Sequence, residues 1–310
     1  MKSTSRFSLA IAGSLFALLA AVTIAPSWAR AFVPAPDRVA GAVAENNRAS
    51  GRQESLRFEL SMAIGDRTDI GVGELVSHPS GLARLELRGS GGLVERHLLR
   101  GTERLAVRNG ERIGDARFFL PPIFLLQSQS GAALRAALES FGIAVDTIGL
   151  APCGEEDCYV LGDPAREVPR PPYPPIRGVA QDDVAVEETE RDLAEHISFS
   201  DGGTLADERA ASDREAGVVR ALLWIDLESY GIRRLDSRWG VHVTFGPIAV
   251  FDDLSVPSWI RIEEPGKSPV LFSVTRASKV NAPASAFSEE WLDTPAIPAS
   301  EPGSPPASTP

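Results

Sequence analysis

The chain has 310 residues, with 31 Lys and Arg against 42 Asp and Glu and a net charge of −11. So acidic a chain repels polyanions, which argues against nucleic acid and anionic lipid surfaces as partners. Its size suits one large all-β domain or two small ones.

The N-terminus reads as a secretory signal over residues 1–31. Lys2 and Arg6 form the basic region, "LAIAGSLFALLAAVTIA" the apolar core, and Ala29-Arg30-Ala31 a cleavage site. Small residues at the cleavage offset favour removal over an uncleaved anchor. Losing Lys2, Arg6 and Arg30 would take the net charge from −11 to −14. No cysteine stands near the site to carry a lipid anchor.

Pro36 opens and Gly51 closes a short helix over "PDRVAGAVAENNRA", whose apolar stripe is thin. In "ESLRFELSMAI", Leu56, Phe58, Leu60, Met62 and Ile64 alternate with smaller or polar neighbours, which predicts a strand with one buried face. "DIGVGELVS", "LARLELRG", "VERHLLRG" and "RLAVRNGERI" continue an antiparallel meander, with Asn109-Gly110 as a hairpin turn. Arg84, Glu86 and Arg88 predict that the other face is wet.

At residue 118 the period of two stops. "FFLPPIFLLQ" (118–127) carries one polar side chain in an apolar run too short to cross a bilayer, which takes about 20 residues. Exposure of its large side chains would forfeit roughly 1.5–3 kcal/mol each, so the run must cover protein or ligand. Pro121 or Pro122 opens a helix bearing Ile123, Phe124, Leu126 and Gln127. A second helix, 130–141, presents Leu134, Ala137, Leu138 and Phe141 and stops at Gly142.

Strands resume with "VDTIGLAPC" and "CYVLGD". Cys153 and Cys158 are read as a disulfide across a turn, since an exported chain meets oxidising conditions. A metal site with Glu155, Glu156 or Asp157 lacks a second ligand pair and a nearby His. From Pro164 to about Gly217 the chain is Pro-rich and then acidic, an exposed insertion with a short helix expected at 184–197. A proline-motif ligand for a partner is the alternative to a spacer. The last block alternates again, with Trp239, Val241, Val243 and Phe245 on one face. It ends near Trp291, ahead of a disordered tail at 293–310.

No reaction centre emerges. His78, His97, His196 and His242 lack metal-ligand spacing, and there is no nucleophile elbow or phosphate-cradling loop. Adjacent Asp252-Asp253 and Glu263-Glu264 would point to opposite faces of a strand. Binding fits the residues better than catalysis, and no metal or cofactor is called for.

The order of "GELVSHPSGLARLEL", "RNGERI", "CYVL", "LWIDLESYGIRRLD", "VPSWIRIEE" and "VNAPASAF" resembles the LolA-like family, periplasmic carriers of lipoproteins between the membranes of Gram-negative bacteria. The matching phrases cover most of residues 36–292, within a domain expected over 32–292 that carries the insertion at about 164–217. The resemblance implies a mainly β (α+β) fold: an unclosed, curved antiparallel β-barrel with helices capping an apolar cavity. Acyl chains of lipid or lipoprotein would lie there, against Phe58, Leu60, Met62, Leu85, Leu87, Trp239, Val241 and Val243. The lid would contribute Phe118, Phe119, Ile123, Phe124 and Leu126. His78 stands before Pro79 where the family has a lid-latching arginine. The implied protein is a monomeric carrier that meets an inner-membrane release complex and an outer-membrane receptor. A regulatory or scaffold protein on the same fold, sensing envelope state through protein contacts, is the alternative.

Overall fold

The computed structural model describes residues 33–294, apart from 102, 115, 116, 118, 155 and 172–217. The signal sequence, Phe118, most of the insertion with its expected helix, and the tail from 295 therefore lie outside the described residues. The sheet and its helices belong to one compact unit, which begins at Ala35.

Helix α1 (Pro36–Ala49) begins with the proline predicted to open it, and buries Val39, Ala40, Val43 and Ala44. The meander follows as β1 (Ser55–Ile64), β2 (Arg67–His78), β3 (Leu82–Gly89), β4 (Val94–Arg100), β5 (Glu103–Arg108) and β6 (Glu111–Arg112). Asn109 and Gly110 both take positive φ, 50° and 88°, which suits a tight hairpin turn between β5 and β6. After helix α2 (Gly131–Ser140) come β7 (Ile148–Pro152), β8 (Asp157–Leu161), β9 (Val168–Pro169), β10 (Val218–Val219), β11 (Leu222–Asp226), β12 (Ile232–Asp236) and β13 (His242–Phe245). The hairpin β14 (Ile248–Phe251) and β15 (Leu254–Pro257) precedes β16 (Trp259–Glu263) and β17 (Val270–Val280).

Among the described residues, thirteen strands join in the order β6-β5-β4-β3-β2-β1-β17-β16-β13-β12-β11-β8-β7. The pairings are antiparallel, and β6 and β7 do not meet, so the curved sheet stays open along one seam. Register shifts at Glu59/Leu60 and Trp224/Ile225 insert one extra residue in β17 and in β12, and that at Met62/Ile64 inserts two in β2, bending the strands there.

The sheet's inner face and the helices share one apolar core, which includes Leu56, Phe58, Leu60, Met62 and Ile64 of β1. Two short helices can lie inside because α1 and α2 cross closely. A Cβ on Gly131 would stand 2.9 Å from the backbone nitrogen of Gly41, a distance real side chains do not tolerate.

Two expectations change. The outer face is not simply wet: Val76, Leu98, Leu105 and Val107 form a second cluster there with Phe287 and Leu292 from the C-terminal segment. The insertion's described ends are joined, Val219 pairing with Val168 and Val218 with Pro169.

Candidate functional site

Residues 119–141, with α1, lie over most of the concave face and pack against it. Pro121 and Pro122 lead into a five-residue 3₁₀ turn, Ile123–Gln127, where an α-helix was expected. The tighter turn suits a segment buried on every side, because Ile123, Phe124, Leu125, Leu126 and Gln127 are all enclosed and no wet face is left to an amphipathic helix. Ser130 then caps α2 by accepting the amide of Ala133.

The structure brings Phe58, Leu60, Met62, Leu85, Leu87, Phe119, Ile123, Phe124, Leu126, Trp239, Val241 and Val243 into one buried cluster. Phe124 stacks on Phe141 with centroids 6.1 Å apart, and Phe141 meets Trp239 edge-on at 6.1 Å. At the other end of the segment Phe119 contacts Phe272 at 6.4 Å and His97 at 5.3 Å.

A few buried polar groups fasten this segment. Ser77 Oγ donates to Gln127 Oε1 at 2.6 Å, and Gln127 Nε2 donates to the Glu54 carbonyl at 2.7 Å. Asn47 Nδ2 donates to the carbonyls of Leu125 and Ser128 at 3.0 and 3.2 Å, and Arg52 Nη2 donates to Asn47 Oδ1 at 3.1 Å. Burial lowers the Arg52 guanidinium to about 10, which still leaves it charged at neutral pH. Arg48 bonds the Gln129 carbonyl.

His78 does not share in this fastening. Its ring packs edge-on against Phe287 on the outer side, 6.0 Å away, and Nδ1 lies 2.7 Å from Ser80 Oγ. Successive side chains of a strand face opposite ways, so the residue that reaches the covering segment is Ser77.

A charged patch interrupts the inner face where β4 and β5 meet the segment. His97 Nε2 is 2.8 Å from Glu95 Oε1, and Arg108 is 3.1 Å from Glu95 Oε2. Burial alone would raise the Glu95 carboxyl, but His97 and Arg108 outweigh it and hold the group below its usual range. Sequence reasoning missed Asn47, Arg52, Ser77 and Glu95; Gln127 was visible as the lone polar residue of its run.

Cys153 and Cys158 form the expected disulfide, with Cα atoms 5.8 Å apart, across the turn from β7 to β8. It borders an outer cleft of about 460 Å³ that also includes Trp224, Arg233, Arg234 and Thr244. Trp224 and Arg234 both donate to Asp236, at 3.0 and 2.5 Å, and His242 approaches the same carboxylate at 2.7 Å. No group of three or more His, Cys, Asp and Glu placed to hold a metal occurs among the described residues.

The chain is similar in fold to solved LolA superfamily structures. One is the LolA superfamily protein NE2245 from Nitrosomonas europaea, at 10% identity and TM-score 0.44. Another is a putative outer membrane lipoprotein-sorting protein domain from Vibrio parahaemolyticus, at 8% and 0.43. A third is a DUF1329 family protein from Desulfovibrio piger ATCC 29098, at 14% and 0.40. Each match covers 84% of this chain and 100% of the other. No protein-family model and no curated protein matches the sequence.

Proposed function

We propose that this chain binds an acyl chain of a lipid or lipoprotein against the concave face of its sheet, with residues 119–141 as a lid that moves aside. The observation that carries the reading is the construction of the cover. The segment lays an almost wholly apolar surface on the concave face, and its polar attachments are few: Asn47, Arg48, Glu54 and Ser77 hold 125–129, Arg135 pairs with Asp37 and Asp146, and Arg238 N donates to the Phe141 carbonyl. A ligand chain can replace the lid's apolar contacts one for one, because dispersion and burial are not directional.

On this reading the protein is exported to the periplasm of a Gram-negative bacterium and works as a carrier there. It would receive cargo from an inner-membrane release complex and pass it to an outer-membrane receptor. No helix among the described residues is long and apolar enough to cross a membrane.

Phe124→Glu tests the lid. A carboxylate in an apolar site costs several kcal/mol unless it finds water or a partner. If the segment swings out, the charge escapes to solvent and the β core survives. The expected result is a near-native melting transition with at least tenfold weaker binding of an apolar fluorophore. A collapse of the melting transition would mark Phe124 as ordinary core, and unchanged affinity would rule out ligand beneath it.

A further inference from the structure

The inner face of the sheet does not end where α2 stops covering it. Strand register sets Leu223, Leu161 and Ile148 in one row across β11, β8 and β7, and Ile225, Tyr159 and Leu150 in the next. Along the second row Ile225 is fully buried, Tyr159 half-buried and Leu150 39% exposed. The apolar floor thus emerges into solvent at edge strand β7, beside the open seam.

Tyr230 extends this ledge. Its ring stacks on Tyr159 at 5.9 Å and 18°, although its backbone takes φ 55° and Gly231 is next in the chain. A bulky residue keeps a left-handed conformation only where its surroundings impose it, and such positions concentrate at functional sites. Here the β11–β12 turn imposes it. Asp226 accepts from the amides of Glu228 and Ser229 and from Ser229 Oγ, at 3.2, 2.8 and 2.7 Å. Tyr230 N donates to the Asp226 carbonyl at 3.1 Å.

The polar groups on the ledge are donors. Two phenol hydroxyls stand there, and burial together with the hydrogen-bonded Tyr230 phenol pushes the Tyr159 hydroxyl up, so that it keeps its proton at neutral pH. Carboxylates stand close by in the chain: Asp146 is two residues before Ile148 and Glu228 two before Tyr230. Donors within an acidic surround suit an uncharged acceptor such as an ester carbonyl, and disfavour a free carboxylate or phosphate.

We propose that Ile148, Leu150, Tyr159 and Tyr230 form the portal of the concave site and hold the ester end of an acyl chain with an uncharged head. The chain runs inward past Ile225 and Leu223 as the lid moves aside, and the phenol pair donates to the carbonyl. This assignment rests on the acyl-binding reading above.

The test titrates monopalmitoylglycerol and, separately, an apolar fluorophore without a head into the full chain. Tyr230→Gly removes the ring at a φ that glycine accepts freely, so the melting transition should be kept or raised. Its affinity for monopalmitoylglycerol should fall about tenfold, with the fluorophore little changed. Tyr159→Phe combined with Tyr230→Phe keeps the rings and should cost about fivefold, the worth of one or two hydrogen bonds. Palmitate should bind more weakly than its glyceride, and the gap should narrow with added salt.

Fluorophore binding with unaltered glyceride affinity in both variants overturns the portal while leaving the concave site standing. A wild-type chain that binds neither probe defeats the acyl-binding reading itself. Palmitate binding more tightly than the glyceride overturns the uncharged head. If Tyr230→Gly shifts a monomer–dimer equilibrium instead of affinity, the ledge is a contact between copies and the portal falls.

Discussion

Asp226 does several jobs with one carboxylate. Beside its bonds to the Glu228 and Ser229 turn, it accepts from Arg233 Nη2 at 2.6 Å. Burial alone would raise its pKa, but the bonds from Ser229 and Arg233 outweigh that and bring it from 3.8 to about 2. A carboxylate depressed on folding stabilises the fold above its unfolded pKa, and that contribution is lost as pH falls through the folded one. The full shift corresponds to about 2 kcal/mol, and solvent screening of its partner Arg233, whose side chain is 44% exposed, reduces it to about 1 kcal/mol. Wild-type stability should therefore fall between about pH 4 and pH 2. Asp226→Asn should lose about 1 kcal/mol at neutral pH and show a shallower decline over that interval in denaturant titrations. An equally steep acid decline in the variant would place the titrating group elsewhere.

At the scale of elements the lid depends on Gln127, which is completely buried and bonded to both Ser77 and the Glu54 carbonyl. Gln127→Leu keeps most of the volume but strands the hydroxyl and the carbonyl, at about 1–3 kcal/mol. If the lid opens as a unit, amide exchange over 119–128 should quicken about tenfold or more while the β1–β17 ladder keeps its protection; equal quickening everywhere would make lid and sheet a single cooperative unit. Much of this element was legible in the sequence. The loss of period two at 118 and the apolar run placed the cover, and alternation placed Phe58, Leu60 and Met62 on one inner face. The fastening was not legible, because Asn47 and Leu125 are 78 residues apart and a single long-range hydrogen bond leaves no periodic trace. His78 was assigned the latch position from the resemblance alone. Proximity to Pro79 said nothing of which face of β2 the ring would take, and register gave that face to Ser77. Tyr230 carried no signal either, since a positive φ at a residue next to a glycine shows only in the folded backbone.

The whole molecule closes on its outer side with a segment whose sequence, "VNAPASAFSEEW", has no period at all. Phe287 and Leu292 are 1% exposed and cover Val76, Leu98, Leu105 and Val107. Arg84 lies over the rings of Phe287 and Trp291 at 6.0 and 5.3 Å and donates to the Ala286 carbonyl, while Arg96 donates to the Leu292 carbonyl. Arg100 and Arg112 share Glu289, each at 3.1 Å. A curved sheet whose concave side is already filled would otherwise leave this apolar outer patch in water, a surface of the kind that drives self-association. A chain ending at Asn281 should therefore lose several kcal/mol, since Phe287 and Leu292 alone contribute roughly 1.5–3 kcal/mol each by burial. It should also associate as concentration rises in sedimentation runs. A chain ending at Thr294 keeps the segment and discards the residues beyond it, so it should melt and sediment as the full chain does. Were the shorter chain to remain monomeric with an unaltered melt, the C-terminal segment would be an ornament of the sheet; were both truncations to aggregate, the residues beyond 294, not the Phe287 contact, would be what keeps the molecule apart from its copies.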